Sequence, residues 1–408
     1  MSMTTKFLGF IGRVGARRVL GNSKANATHS FSHPAIRRAV ATLIFVMFPT
    51  ASDLTERDWL ELFARLETYF TPRLNTLLEV ITRNSIENHG LIKLCKIVFG
   101  TIHKRTQVRE HHEPDRIDFI YNTLRLAYSW GITYPLVDNI LDSPETSLEV
   151  RSLLATVLRE LFATNGSSPQ TAVPLEKEFA IVSEVRERLT EVISLIPIDL
   201  RSDARITLGH LLVAHHRDAQ RRLSTPSIDV EDLHVAVMVD SILKAALIRL
   251  ATIQVAGIPM DEATTIQHFT HSLFNQLGDD IWDIYEDYVD DRVTPCTLFL
   301  VSGGDRNPFD FYFAYLKLLA KGKSKRRRTA ILMGFCETLR DALLATEQRS
   351  DDPLRVTQAI LDSLKRFGGL SVPELIRTIP HVDTDAVLFA FKNALLAFVK
   401  SGSEVQKK

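Results

Sequence analysis

The sequence predicts an all-α protein, and three observations support this class. Apolar residues recur at three-to-four spacing over most of the chain from residue 53 onward, as in helices that pack on one face. Alternating β-branched runs of strand length are scarce. Segments rich in Gly, Pro and Ser separate the periodic stretches. Together these features favour one large helical bundle.

The periodicity divides the 408 residues into three parts. A basic N-terminal extension covers 1–52, an all-α domain covers 53–400, and a short disordered tail covers 401–408. The first helix of the domain spans about 53–70. The other predicted helices cover approximately 73–83, 89–103, 115–142, 148–163, 174–195, 201–222, 229–256, 260–291, 309–320, 326–346, 353–366, 372–378 and 384–400.

The N-terminal extension contains seven Lys or Arg residues and no acid. Residues 1–28 therefore have the composition of an organellar transit peptide. The alternative is the basic N-terminus of a cytoplasmic enzyme, which we favour. The apolar run at 39–48 ends at Pro49 and is too short to span a bilayer, so we expect no transmembrane segment.

Composition also narrows the function classes. The three cysteines are too few and too scattered for a disulfide framework or a zinc cluster. The 49 basic residues balance the 49 acidic residues, which argues against a general nucleic-acid binder. The balance hides local blocks of charge: 279–291 is acidic, and 321–328 is basic. We expect the basic block to be a solvated segment, or alternatively a segment that folds over an active-site mouth.

The acidic block coincides with a predicted helix. Asp279, Asp283 and Asp287 are spaced four apart and would share a face, with Asp280 one position round. Like charges at this spacing repel, so a favourable partner is expected. Mg²⁺ fits because it prefers carboxylate oxygens and is usually shared with substrate phosphates. The alternative is a solvated acidic face.

A second acidic pair precedes it in the chain. Asp138 and Asp142 are also four apart, and Asn139 offers another oxygen ligand. Alone, this pattern also suits the polar C-terminal end of a helix. Two such pairs on separate helices could instead form facing acidic walls that hold several Mg²⁺ ions and a diphosphate.

These motifs resemble those of the class I isoprenoid synthases, above all the trans-polyprenyl diphosphate synthases. The stretch from Asp279 to Asp283 looks like the family's DDxxD motif, and the stretch from Asp138 to Asp142 looks like a DNxxD variant of the first motif. The resemblance implies a large helical bundle with a central active-site cavity and a Mg²⁺–diphosphate cluster. It covers about residues 115–300.

Two further elements lie between the motifs in the family's order. Lys244 matches the lysine that contacts the diphosphate in the family. Asp218 matches the aspartate of a Gln-x-x-Asp motif, in which His215 replaces the glutamine. The resemblance therefore implies a substrate that is an allylic prenyl diphosphate.

The chain departs from the family at two places. Only Arg151 follows the first motif where a tandem arginine is usual, and the N-terminal Gly-Lys-x-x-Arg-Pro element is missing. These groups bind isopentenyl diphosphate and the allylic diphosphate, so ionisation is better supported than condensation. A polyprenyl diphosphate synthase-like prenyltransferase is the leading hypothesis. A terpene cyclase and a non-catalytic regulatory or assembly subunit are the alternatives, and a homodimer is expected from the resemblance alone.

The resemblance assigns roles to named residues. Lys244, Asp138 and Asp279 would be catalytic. The expected metal ligands are Asp138, Asn139, Asp142, Asp279, Asp280 and Asp283, with Asp287 assisting. The expected diphosphate contacts are Lys244, His215, Asp218 and Arg151. Aromatic side chains on the helix before the first motif could line a dry cavity for the allylic cation, although ordinary core packing explains them equally; they are Phe119, Tyr128, Trp130 and Tyr134.

Overall fold

A computed structural model describes residues 34–83, 88–109, 115–142, 146–162, 180–224, 230–302, 307–312 and 355–367, together with 314, 321, 322 and 324. Helices dominate these parts of the chain, and no β-strand is found in them. The predicted all-α class is therefore confirmed. None of the helices in the described ranges has the length and apolarity needed to cross a bilayer.

The helices of the described residues are numbered here in chain order. They are α1 (Pro34–Met47), α2 (Glu56–Arg83), α3 (Asn88–Arg109), α4 (Arg116–Asp142), α5 (Leu148–Phe162), α6 (Ala180–Leu195), α7 (Arg201–Gln220), α8 (Val230–Val255), α9 (Glu262–Trp282), α10 (Ile284–Val289), α11 (Pro295–Ser302) and α12 (Val356–Phe367). Short 3₁₀ turns at Pro49–Asp53 and Ile198–Leu200 precede α2 and α7.

Most predicted helices occur close to their predicted bounds, with three differences. The two helices expected on either side of residue 72 form one helix, α2, which accommodates Pro72 internally. The helix expected at 260–291 is interrupted at Asp283, whose φ of −91° and ψ of 9° leave the helical region. Helix α1 forms where only an apolar run was noted. Most of the helices predicted between 309 and 346 and beyond 372 lie outside the described residues.

The chain divides into two compact units. Unit 1 contains residues 1–206, 252–259 and 383–408. In its described part, α4 packs against α2, α3, α5 and α6. Its core joins fully buried side chains of α1 to those of α2 and α4, including Ile44, Phe48, Leu62, Leu66 and Ile120. Burial of these apolar side chains is the main stabilising contribution in this unit.

Unit 2 contains residues 207–251 and 260–382. Its α11 packs against α9 and α10, the helices that carry the acidic block. A small apolar cluster of Val237, Val293 and Leu298 joins α8 to α11 and to the segment that precedes it. These contacts hold the acidic segment on a packed support, so its carboxyls lie at different depths.

Candidate functional site

The most buried carboxyl of the acidic block is that of Asp280, which is only 3% exposed. Its Oδ1 accepts a hydrogen bond of 2.7 Å from Nε2 of Gln276, one turn earlier on α9. Its Oδ2 is buried and has no hydrogen-bond partner. A buried acceptor without a donor is costly, so this oxygen is suited to a ligand or to a proton.

The pKa values of Asp280 and Asp287 are both raised. Burial raises the pKa of Asp280 well above its usual range, and the charge of Asp287 raises it further. Burial raises the pKa of Asp287 to about 8, with a further rise from Asp283, while Arg292 and Lys244 act in the opposite direction. Burial therefore favours the neutral form of both carboxyls, and a pKa of about 8 leaves Asp287 mostly protonated at neutral pH when no cation is bound.

The other two aspartates of the second motif are more accessible. Asp279 is exposed, and Asp283 is half-buried at the junction of α9 and α10. The expected row of Asp279, Asp283 and Asp287 therefore runs from solvent into the core, because the helix is interrupted at Asp283. Asp280, which the sequence pattern places beside this row, is the most buried of the four aspartates.

Lys244 and Asp218 form an ion pair between α8 and α7. The Lys244 Nζ lies 3.1 Å from Oδ2 of Asp218, and the side chains are 14% and 22% exposed. His215 lies one turn before Asp218 on α7 and is 1% exposed. The three residues assigned by resemblance to diphosphate contact in this unit are thus neighbours, and partial burial strengthens the ion pair relative to a surface pair.

The first motif lies in unit 1. Asp138 is buried near the C-terminal end of α4 at 7% exposure. The side chains of Asn139 and Asp142 lie outside the described residues, although both positions belong to α4. Arg151 is half-buried on α5. The metal and diphosphate roles of these four residues remain predictions.

The aromatic side chains before the first motif make contacts typical of a core. The Phe119 ring meets the Phe48 ring edge-on at 6.2 Å between centroids. The Tyr128 ring meets that of Phe70 at 5.3 Å, also edge-on. The Trp130 Nε1 donates to the Thr252 hydroxyl at 3.0 Å. Tyr134 is half-buried. Their role in lining a cavity remains a prediction.

A polar network in unit 1 was not anticipated from the sequence. The Glu191 carboxylate on α6 accepts hydrogen bonds from Arg125 at 2.5 Å, from Ser129 at 2.8 Å and from Arg188 at 2.8 Å. The Tyr69 hydroxyl donates to it as well. The spacing of Glu184, Arg188 and Glu191 shows the pairs within α6, but the partners from α2 and α4 depend on tertiary packing.

The donor chemistry of the acidic block fits a hard cation. Within the described residues, no three His, Cys, Asp or Glu side chains form a group able to hold a metal ion by themselves. Mg²⁺ commonly takes only one or two protein carboxylates and completes its shell with water and substrate phosphate oxygens. The buried Oδ2 of Asp280 and the exposed carboxyl of Asp279 are oxygens of this block that could act as ligands of such an ion.

Comparison with known proteins returns no relative: no family model, curated protein or solved structure matches this chain.

Proposed function

We propose that this protein is a Mg²⁺-dependent enzyme of isoprenoid biosynthesis that ionises an allylic prenyl diphosphate, closest to a polyprenyl diphosphate synthase-like prenyltransferase. In this proposal the helices form an isoprenoid synthase type bundle with a central cavity. One observation supports it most: unit 2 combines the Lys244–Asp218 pair with an acidic block in which Asp280 and Asp287 are buried and Asp280 Oδ2 has no hydrogen-bond donor.

The charges of this region favour the binding of an anion together with cations. Asp287, Asp279 and Asp218 all act electrostatically on Asp280, and among the described residues no base is a main influence on its pKa. On Asp287 the acids Asp283 and Asp279 are matched by the bases Arg292 and Lys244. A bare diphosphate would be repelled by those carboxyls of the region that are ionised. A diphosphate bound together with Mg²⁺ would neutralise them, which is the arrangement expected for metal-assisted ionisation.

The residues of the chain would act in a defined way. Asp280 and Asp287 would release their protons when the cation binds, since carboxylate ligands must be deprotonated. Lys244, held by Asp218, would donate to one oxygen of the diphosphate. Bound Mg²⁺ supplies Lewis-acid stabilisation of the charge on the departing diphosphate. Asp138, Asn139 and Asp142 are the remaining ligands in this proposal.

A non-catalytic homologue is the second candidate, and the same buried carboxyls favour it. Burial raises the pKa of both Asp280 and Asp287, which favours their neutral forms, and Asp280 accepts a hydrogen bond from Gln276. Neutral carboxyls of this kind can serve as core groups without a cation. In that case the protein would be a regulatory or assembly subunit. A terpene cyclase is the remaining alternative, since the usual isopentenyl diphosphate residues are missing.

The deciding experiment is incubation with geranyl, farnesyl and geranylgeranyl diphosphates, with and without isopentenyl diphosphate and Mg²⁺. Longer diphosphates would support the prenyltransferase, and hydrocarbons or alcohols without isopentenyl diphosphate would support a cyclase. Asp218→Asn should lower turnover by roughly tenfold or more, because Lys244 loses its charged partner. Asp203→Asn changes an exposed acid of the same helix and should leave turnover intact. No turnover and no Mg²⁺-dependent diphosphate binding would favour the subunit.

Two further expectations belong to the same proposal. The enzyme would act in the cytoplasm, or in an organelle if residues 1–28 are a transit peptide. It would form a homodimer, as the resemblance implies. Mass photometry of the purified chain and imaging of a C-terminal fluorescent fusion would test them.

A further inference from the structure

In unit 2, hydrogen bonds join the segment that follows α7 to the segment that follows α10. The Asp291 carboxylate follows α10 and accepts from the Ser224 backbone N–H at 2.8 Å and from its hydroxyl at 2.5 Å. The Leu223 N–H donates to the Asp291 carbonyl at 3.1 Å, and Arg222 and Arg292 form an isolated antiparallel bridge. We call this set of contacts the Asp291 clamp. It fixes the end of α7 to the end of α10.

The backbone of Asp291 is held in an uncommon conformation. Its φ is 60°, in the left-handed region that favours glycine. Aspartate tolerates this region better than most residues, but glycine would adopt it without steric cost. A strained residue persists where its surroundings determine it. The two hydrogen bonds from Ser224 to the carboxylate explain why this position carries aspartate, since glycine has no side chain to accept them.

A second tie joins α7 to α8. The Arg221 guanidinium lies 2.5 Å from the carboxylate of Asp240, which is 4% exposed. Asp240 lies one helical turn before Lys244 on α8, and Arg221 lies three residues after Asp218. This buried ion pair therefore fixes the axial register of the two helices that present Asp218 and Lys244.

The two ties connect the three groups that the proposed function uses in this unit. The Asp291 clamp links the α7 end to the turn in which the Arg292 N–H donates to the Asp287 carbonyl at 2.8 Å. The Arg221–Asp240 pair links the same α7 end to α8. We propose that Asp291 is a positioning residue that, through Ser224, sets the position of the Asp218–Lys244 pair relative to the acidic block. This inference rests on the proposed function.

The test measures binding of inorganic diphosphate to the full chain in the presence of Mg²⁺ by titration calorimetry. Asp291→Gly keeps the backbone conformation but removes both bonds, and should weaken binding roughly tenfold or more, because a small displacement of binding groups is costly. Asp291→Asn keeps an acceptor for the Ser224 N–H and should restore affinity to within about threefold of the original. Ser224→Ala, a milder change, should weaken binding about threefold.

Asp58→Ala is the matched control. The Asp58 carboxylate accepts from the Thr55 N–H and hydroxyl, both at 2.8 Å, so it makes the same pair of bonds in unit 1. This variant should bind diphosphate normally. A uniform loss in all variants, control included, would show a merely structural effect and would overturn the positioning role.

The outcomes separate this inference from the proposed function. If the unmodified protein binds no diphosphate with Mg²⁺, both are overturned. If it binds and Asp291→Gly binds equally well, only the positioning role is overturned. Should Asp291→Gly fail to fold by circular dichroism, Ser224→Ala decides, since unchanged affinity in that variant would contradict the inference.

Discussion

Glu191 and Asp280 are both largely buried carboxyls, yet their surroundings shift their pKa values in opposite directions. Burial is the largest influence on each and raises the pKa. At Glu191, hydrogen bonds from Tyr69, Ser129 and Arg125 outweigh burial, so its pKa is lowered. Burial raises the pKa of Tyr69 to about 12, and its hydrogen bond to Glu191 contributes to the rise. Asp280 has one amide donor and neighbouring carboxylates, so its pKa stays high.

Glu191→Gln should destabilise the protein by roughly 3 kcal/mol at pH 7, because Arg125 and Arg188 lose the charge that compensates them in a partly buried site. Since the folded-state pKa of Glu191 is lowered, its contribution exists above the ordinary value of 4.5 and is lost as the pH falls through the folded-state pKa. Chemical denaturation at several pH values measures this. Glu187→Gln is the control: Glu187 also pairs with Arg188 at 3.0 Å but is 68% exposed, so its loss should be under about 1 kcal/mol.

Asp287→Asn should stabilise the cation-free protein at pH 7 by roughly 1–3 kcal/mol. Because the folded-state pKa of Asp287 is raised to about 8, the folded state binds the extra proton between the ordinary pKa of 3.8 and about 8. Stability from this group therefore falls as the pH rises across that window. The advantage of the variant should grow from pH 4 to pH 8 and then level off.

Denaturation midpoints across this pH range give the measurement for Asp287→Asn. Glu286→Gln alters a neighbouring exposed acid and should change stability by less than about 0.5 kcal/mol. A benefit of Asp287→Asn that does not depend on pH would contradict the assignment of the raised pKa to this carboxyl.

At the scale of elements, the packing of α3 against α4 depends on a glycine. A Cβ at Gly131 would lie 2.3 Å from Cγ2 of Val98, far inside a normal contact. Valine is stiff at χ1, so it cannot readily move aside. Nothing in the sequence marks Gly131 as different from Gly100, which lies in α3 with open space around its Cα hydrogen.

Gly131→Ala should therefore destabilise unit 1 by roughly 1–3 kcal/mol, since it overpacks the contact between the two helices. Gly100→Ala should stabilise the protein by about 0.5–1 kcal/mol, because alanine favours the helix and meets no atom. Thermal or urea unfolding of the two variants gives opposite signs. Equal effects of the two substitutions would contradict the close approach of α3 and α4 at Gly131.

The local sequence pattern of single helices explains where helix prediction succeeded. Long, largely apolar stretches such as α4 and α8 were placed to within a few residues, because apolar residues recurring at helical spacing specify the helix locally. The interruption at Asp283 was missed because the sequence there remains helical in pattern. Packing of α11 against both α9 and α10 accompanies the break, and no local signal reports such a contact.

At the scale of the whole molecule, the two predicted motifs belong to different compact units. Asp138 belongs to unit 1 and Asp279 to unit 2. Under the proposed function, Asp138→Asn and Asp279→Asn should each weaken Mg²⁺-dependent diphosphate binding by roughly tenfold or more. The double variant measures whether the two losses add, as they do for independent sites, or fall short of their sum, as they do for groups that couple.

Calorimetry of the four proteins with inorganic diphosphate completes this double-mutant cycle. As a control, Asp203→Asn is combined with Asp138→Asn and separately with Asp279→Asn. In these two double variants the effects of the single substitutions on binding should add. Strict additivity of Asp138→Asn and Asp279→Asn would indicate independent roles for the two motifs and would contradict the predicted coupling of their metal ligands.

The sequence alone determined the all-α class, the positions of most helices and the identity of the acidic and basic groups, because helical periodicity and charge are local properties of the chain. Only the tertiary structure decided how deep each carboxyl lies and which partner it has. It placed Asp280 in the core, paired Lys244 with Asp218 and surrounded Glu191 with donors from three helices. Burial and pairing arise from contacts between residues distant in sequence, and these contacts set the pKa values on which any chemistry at this site depends.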